Sequence, residues 1–249
     1  MNTKTVLAVG AHPDDIEFMM AGTLALLKEK GYEIHLLTIA NGSCGTCKLS
    51  KEKIIKIRKK ESENAAKILE GIYHPGLVND LEIFYEKKLL AKVGAIIREI
   101  KPEIVLSPSP EDYMEDHQNT SRLITTALFC RGMKNFTTSP PQKPYMEDVY
   151  LYHALPYGLK DGLKNLIIAD EYVDISSVME IKEKMLREHK SQKEWLDASQ
   201  GLDSYLKIMK DMSNQVAKMS KTKWQYAEGW RKHLHLGFSK KDENKLKII

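Results

Sequence analysis

Only three of the 249 residues are cysteine, at positions 44, 47 and 130. So sparse and odd a set cannot staple a secreted scaffold, so stability must come from a buried core, and a reducing, cytoplasmic setting is the expectation. Apolar runs long enough to cross a bilayer are missing, and Met1 to Thr5 leads into the first apolar segment without a signal-like stretch. The reading is therefore a soluble intracellular chain with no membrane span. An excess of one charge is missing too: 38 basic and 34 acidic side chains are interspersed to a net +4, which gives no reason to expect nucleic acid as a partner. Internal repeats, low-complexity linkers and shifts of composition are also absent. The expectation is one domain over residues 1–249, with about 240–249 a polar, frayed tail.

What is present is alternation. Residues 4–10 form a short apolar run, 14–30 a helical pattern ending near Gly31, 33–39 a second apolar run, and Asn41-Gly42-Ser43-Cys44-Gly45 a loop. Helices over about 51–70 and 86–100 follow, then a buried strand over 103–107 stopped by Pro108 and Pro110, and a helix over about 117–130. Late strands at 148–153 and 171–175 and helices near 177–192 and 203–219 complete the pattern. Strands alternating with helices across short connections predict an α/β fold: a Rossmann-like, mostly parallel sheet flanked by helices, with a helical C-terminal portion.

In such sheets ligands collect beyond the carboxyl ends of the strands. The first strand delivers His12-Pro13-Asp14-Asp15 to that place. Pro13 suits the first turn of a helix, and Asp14 and Asp15 then fall in that turn, where the helix dipole favours ionised carboxylates. Each residue alone is as well explained as a cap or a satisfied core histidine. Together they are two adjacent carboxylates and a histidine on an apolar strand end, which repel and desolvate poorly unless a cation compensates. Neighbouring helical positions diverge by roughly 100°, so one aspartate can face a metal while the other addresses water. The strand at 103–107 repeats the arrangement with Glu111-Asp112-Tyr113-Met114-Glu115-Asp116-His117, and His117 supplies the third ligand of a catalytic zinc site. Asp116 either caps the helix or orients an active-site group.

These residues resemble the LmbE-like family of zinc-dependent de-N-acetylases, which includes the N-acetylglucosaminyl-phosphatidylinositol deacetylases. The resemblance rests on Ala11-His12-Pro13-Asp14-Asp15 and on Asp116-His117, and extends through Asn41-Gly42, Arg58, Glu61 and Ala65, His189-Lys190-Ser191-Gln192 and Ala227-Glu228-Gly229-Trp230. It implies His12, Asp15 and His117 as zinc ligands, Asp14 as general base, and a small-molecule N-acetylated amino sugar or conjugate as substrate. Two positions depart from the pattern. Met114 stands where many members carry a histidine three residues before the last ligand, and Ser43 stands where an aspartate is frequent.

Other residues carry weaker signals. On the helix 51–70 the apolar stripe Ile54, Ile57, Ala65, Ile68 also takes in Glu61, with Arg58 three residues earlier. That is either a buried ion pair or an Arg58 that reaches substrate at the pocket rim. His35, His74 and a mid-helix His189 are expected to be structural; His153 is a candidate pocket residue, and His233 and His235 with Arg231 are candidate oxyanion donors in place of the missing histidine. Tyr113, Tyr157, Trp195, Trp224 and Trp230 are candidate sugar-stacking rings, though core packing is their commoner use. Cys44 and Cys47 have the spacing of half a zinc knuckle or a redox pair, but without a second ligand pair two free thiols are favoured and a regulatory disulfide is left open. Rival readings are a metal-dependent hydrolase of another bond, such as a phosphoester, and a non-hydrolytic nucleotide-binding module, against which the G-x-G-x-x-G spacing is missing. Nothing specifies an oligomer; a homo-oligomer is compatible with the sequence.

Overall fold

The computed structural model describes residues 4–192 and 205–249. Strands β1 (Thr5–Gly10), β2 (Glu33–Thr38), β3 (Ile72–His74), β4 (Ile104–Ser107), β5 (Tyr150–Ala154), β6 (Glu171–Asp174) and β7 (Ala227–Lys232) form one sheet in the order β3-β2-β1-β4-β5-β7-β6. The first five pair in parallel, and β7 runs antiparallel to both β5 and β6. The expected mixed, mostly parallel α/β architecture is therefore present. No helix among the described residues is long and apolar enough to cross a membrane.

The period of two in a strand decides which helices go where. In β1, Val6 and Ala8 face a core shared with Leu24, Leu27, Met185 and Met209, which lie on α2 (Ala21–Glu29), α6 (Met179–Arg187) and α7 (Tyr205–Met219). Leu7 and Val9 face the opposite core, with Val93 and Ile97 of α4 (Lys87–Ile100) and Leu123 and Leu128 of α5 (Glu115–Phe129). Each such valine, leucine, isoleucine or methionine side chain, fully removed from water, contributes about 1.5–3 kcal/mol. A polar device joins the last strand to the first helices. Glu228 of β7 accepts the Gly22 and Thr23 amide N–H groups at 2.9 and 2.7 Å, and Lys182 closes on the same carboxylate. A carboxylate from across the fold thus satisfies orphan donors at the start of α2.

Strand order reverses between β1 and β4: the chain leaves β1 toward β2 on one side and β4 lies on the other. The crevice at their carboxyl ends is where an open sheet binds its ligand. Several local expectations are corrected. The pattern at 14–30 is two helices, α1 (Asp15–Met19) and α2, broken at Met20. On α3 (Lys51–Ile68) the buried face is Ile54, Arg58, Glu61, Ser62 and Ala65, while Ile57 and Ile68 are exposed. The charged residues there hold the inward face because they have partners inside. The C-terminal tail is docked rather than frayed: Leu246 is 3% exposed in the core, and Asn244 accepts from Tyr152 Oη and from the Leu246 amide.

Candidate metal centre

His12 lies just beyond β1, and its amide N–H donates to Asp15 Oδ2 at 2.8 Å, folding the turn back over the first residue of α1. Asp14 is not in the helix. It takes a left-handed conformation, φ 97°, that is uncommon for a residue with a Cβ, and this turns its side chain away from that of Asp15. The two adjacent carboxylates therefore diverge through a backbone kink instead of through helical phase. From the other side of the crevice, His117 stands in the first turn of α5.

His12, Asp15 and His117 each offer one ligand atom, and the three atoms lie within 4.8 Å of one another. Asp15 Oδ2 is 3.8 Å from His12 Nδ1 and 3.3 Å from His117 Nε2. The remaining nitrogens are engaged by carboxylates: His12 Nε2 meets Asp116 Oδ2 at 2.9 Å, and His117 Nδ1 meets Asp112 Oδ2 at 3.0 Å. A carboxylate accepts only, so in the neutral form of each ring the proton belongs on the far nitrogen and the near nitrogen keeps the lone pair that a metal needs. His117 Nε2 is buried with no hydrogen-bond partner among the described residues. Two imidazoles and one carboxylate converging with outer carboxylates behind them fit a zinc-type divalent ion. Without the ion, charge is traded among the same groups. Burial pushes Asp15 up, but His117 and His12 outweigh it and hold its carboxyl far below the usual carboxylate range. Burial pulls His117 down, yet Asp15 and Asp112 raise it well above an ordinary histidine.

Asp14 lines the same cavity and is 7% exposed. Its Oδ1 accepts from Arg58 Nη2 at 3.0 Å and its Oδ2 accepts the Tyr205 hydroxyl. Burial pushes Asp14 up to about 6, with Arg58 opposing and Asp15 adding to the rise. Arg58, 3% exposed, also donates to the Pro13 carbonyl. It does not pair with Glu61, which instead accepts the Ser191 amide and hydroxyl at 2.9 and 2.6 Å. Gly42 makes room for this arginine: its φ is 78°, and a Cβ there would lie 2.5 Å from Arg58 Cδ. The loop that carries it is drawn in by Asp80, which accepts from the Gly42 and Cys44 amides at 2.7 and 2.8 Å.

All five residues singled out for chemistry, His12, Asp14, Asp15, Arg58 and His117, line one cavity of about 320 Å³. Sequence reasoning missed Asp112, Asp80 and Tyr205. Asp112 was legible in the acidic run before His117; Tyr205 had no local signal. Asp116 orients His12 and makes no cap hydrogen bond, since Met114 holds the N-cap position of α5. His153, Arg231 and His233 line a second cavity, with His153 Nε2 3.0 Å from His233 Nδ1, so they do not replace the missing histidine. His189 sits in a break after α6, buried 3.3 Å from Glu17. Tyr113 and Tyr157 line the cavity, as do Met114, Cys44 and Gln192, whereas Trp230 is core and Trp224 packs on a C-terminal cluster. Trp195 lies outside the described residues.

An open α/β sheet with a His-Asp-His set at its switch point and a buried carboxylate beside it defines a class of metal-site α/β proteins. Residues 7–128 match the model of the PIG-L family, GlcNAc-PI de-N-acetylase, so the chain carries a PIG-L (LmbE-like) domain. It is 29% identical over 204 residues to diacetylchitobiose deacetylase of Thermococcus kodakarensis, covering 77% of this chain and 71% of that one. It is also 31% identical over 157 residues to 4-oxalmesaconate hydratase of Pseudomonas putida, covering 57% and 61% respectively. Among solved structures, N,N'-diacetylchitobiose deacetylase from Pyrococcus horikoshii superposes with a TM-score of 0.80 at 24% identity, over 98% of this chain and 89% of that one.

Proposed function

We propose that this chain is a zinc-dependent N-deacetylase that hydrolyses the acetamide of an amino sugar or its conjugate, working in the reducing cytoplasm. The observation that carries the reading is Asp14: a carboxylate beside a three-ligand set, buried and raised to about 6, where it can both take and return a proton near neutral pH. His12, Asp15 and His117 are the ligand set, with Asp116 and Asp112 fixing the ring orientations. Zinc bound there would supply Lewis acidity, lowering the pKa of the attacking water and polarising the amide carbonyl. Asp14 then accepts the proton of the attacking water at a carboxylate oxygen and delivers it to the departing amine, which leaves free amino sugar and acetate. Arg58 and the Tyr205 hydroxyl hold the Asp14 plane while it does so, because each donates to a different oxygen. A direct contact from Arg58 to substrate is a further part of the proposal, supported by its place in the cavity wall.

The similarity to a hydratase favours one second reading, in which the same base drives water onto a carbon–carbon double bond of an unsaturated carboxylate. The test is a panel of N-acetylated amino sugars assayed for released amine with zinc-loaded protein, beside unsaturated carboxylates followed by loss of absorbance. Asp14→Asn is expected to keep bound zinc and lose about two to four orders of magnitude in turnover. Unchanged turnover would remove Asp14 as the base, and hydration without amine release would replace the deacetylase reading.

A further inference from the structure

The mouth of the cavity has a wall that this chemistry leaves unused. Leu81 and Tyr113 line it and stand 71% and 51% exposed. Leu81 has φ 64°, a left-handed conformation unfavourable for a side chain with a Cβ. Its amide N–H holds it there by donating to Asp116 Oδ2 at 2.8 Å, the same oxygen that meets His12 Nε2. The metal centre's own orienting carboxylate thus presents a leucine to solvent at the entrance. Strain of this kind persists where the surroundings enforce it, and it concentrates at ligand contacts. Tyr113 lines the same cavity, its ring edge-on to His117 at 6.4 Å between centroids.

Three polar side chains of the cavity wall are engaged internally. Asp112 serves His117 and the Met114 amide, Asp80 serves two loop amides, and Ser109 serves Glu111. The cavity of about 320 Å³ is also far larger than an acetyl group, which takes on the order of two water volumes, ~60 Å³. A substrate part reaching past the scissile amide therefore meets leucine, tyrosine and, deeper, Met114 and Leu155.

We propose that Leu81 and Tyr113 determine specificity by selecting amides that carry an alkyl or aryl group beyond the scissile bond. The group sits either on the acyl side or as the aglycone of the amino sugar. The proposal rests on the deacetylase reading. The zinc-loaded protein is assayed on N-acetylglucosamine against N-hexanoylglucosamine, and on methyl against hexyl N-acetylglucosaminide. One hexyl-bearing compound is expected to exceed its short counterpart about tenfold or more in kcat/KM, and the arm that does so names the side. Leu81→Asn, which tolerates the positive φ and keeps the N–H donor, is expected to cut that ratio to about twofold or less, and Tyr113→Ser to lower it independently. Calorimetry with hexyl and methyl glucosaminide, and with hexanoate and acetate, reads the wall without turnover. If no amide is hydrolysed yet the longer compound binds tighter and Leu81→Asn abolishes the difference, the deacetylase reading fails and the wall stands. Equal binding and equal kcat/KM in both arms overturn the proposal, as does a preference that survives both substitutions. Self-association that Leu81→Asn abolishes, with no such preference, assigns the surface to a second copy of the chain and overturns it as well.

Discussion

Asp112 and Asp116 do the same job for different ligands, and the structure says that amidating them has unequal consequences. Asp112 uses both oxygens: Oδ2 accepts from His117 Nδ1 at 3.0 Å and Oδ1 accepts the Met114 amide at 2.9 Å. Asparagine has one acceptor oxygen, so in Asp112→Asn either the Met114 N–H or the His117 ring loses its partner. Losing the first leaves a partly buried donor unpaired, at the low end of about 1–3 kcal/mol. Losing the second lets the proton move to Nε2, the atom a metal needs. Asp116 uses a single oxygen for both of its contacts, His12 Nε2 at 2.9 Å and the Leu81 amide at 2.8 Å. An asparagine there can place its carbonyl oxygen at that position and keep both. Asp112→Asn should therefore weaken zinc binding tenfold to a hundredfold, about 1.4–2.8 kcal/mol. Asp116→Asn should lose only the few-fold effect of the missing charge. Competition against a chromophoric chelator measures both, and thermal melts without zinc report the cost to the fold. Equal losses in the two variants, or a greater loss in Asp116→Asn, would refute the hydrogen-bond reasoning.

Two stability predictions stand apart from the metal. Lys182→Met leaves Glu228 buried with only the α2 amides, so unfolding by urea should come about 3–5 kcal/mol earlier in free energy; a change under 1 kcal/mol would mean the pair is not desolvated. His153 is pulled down to about 4, first by burial and then by His233, so the folded state holds it neutral while the unfolded chain titrates near 6.5. The unfolded state then binds more protons between those values, and stability should fall by about 3 kcal/mol as pH drops from 7 to 4. Replacing His153 with glutamine should flatten that slope in urea melts; an unchanged slope would place the titration elsewhere.

The parts of the site that were legible in the sequence were those whose neighbours in sequence are also neighbours in space. His12, Asp14 and Asp15 arrive on one turn, and His117 follows an acidic run at an equivalent strand end, so strand-end logic reached all four. Hydrogen-bond partners were legible only when local. Asp112, five residues from His117, could have been found, but Tyr205 reaches Asp14 across 191 positions with nothing beside it to mark the contact. The stripe on α3 misled because periodicity assumes that apolar residues point inward, and here Asp14 and Ser191 receive Arg58 and Glu61 instead. β3 and β7 escaped the reading as strands because three residues are too few to show a period, and Ala-Glu-Gly-Trp-Arg-Lys lacks the β-branched signature that β7 replaces with pairing on both sides.

The place of β7 in the sheet fixes an order of events. β6 touches the sheet only through β7, although β7 is made more than 50 residues later, so residues 171–174 have no strand to join until position 232 has left the ribosome. The same late strand carries Glu228, which seats the start of α2 behind the turn that holds Asp15. Closing that separation carries the entropy of a long loop, which slows folding. The chain therefore gains this support behind its metal turn only after β7 is made, and a nascent or truncated protein ending before β7 would carry every ligand residue yet lack the carboxylate that seats α2.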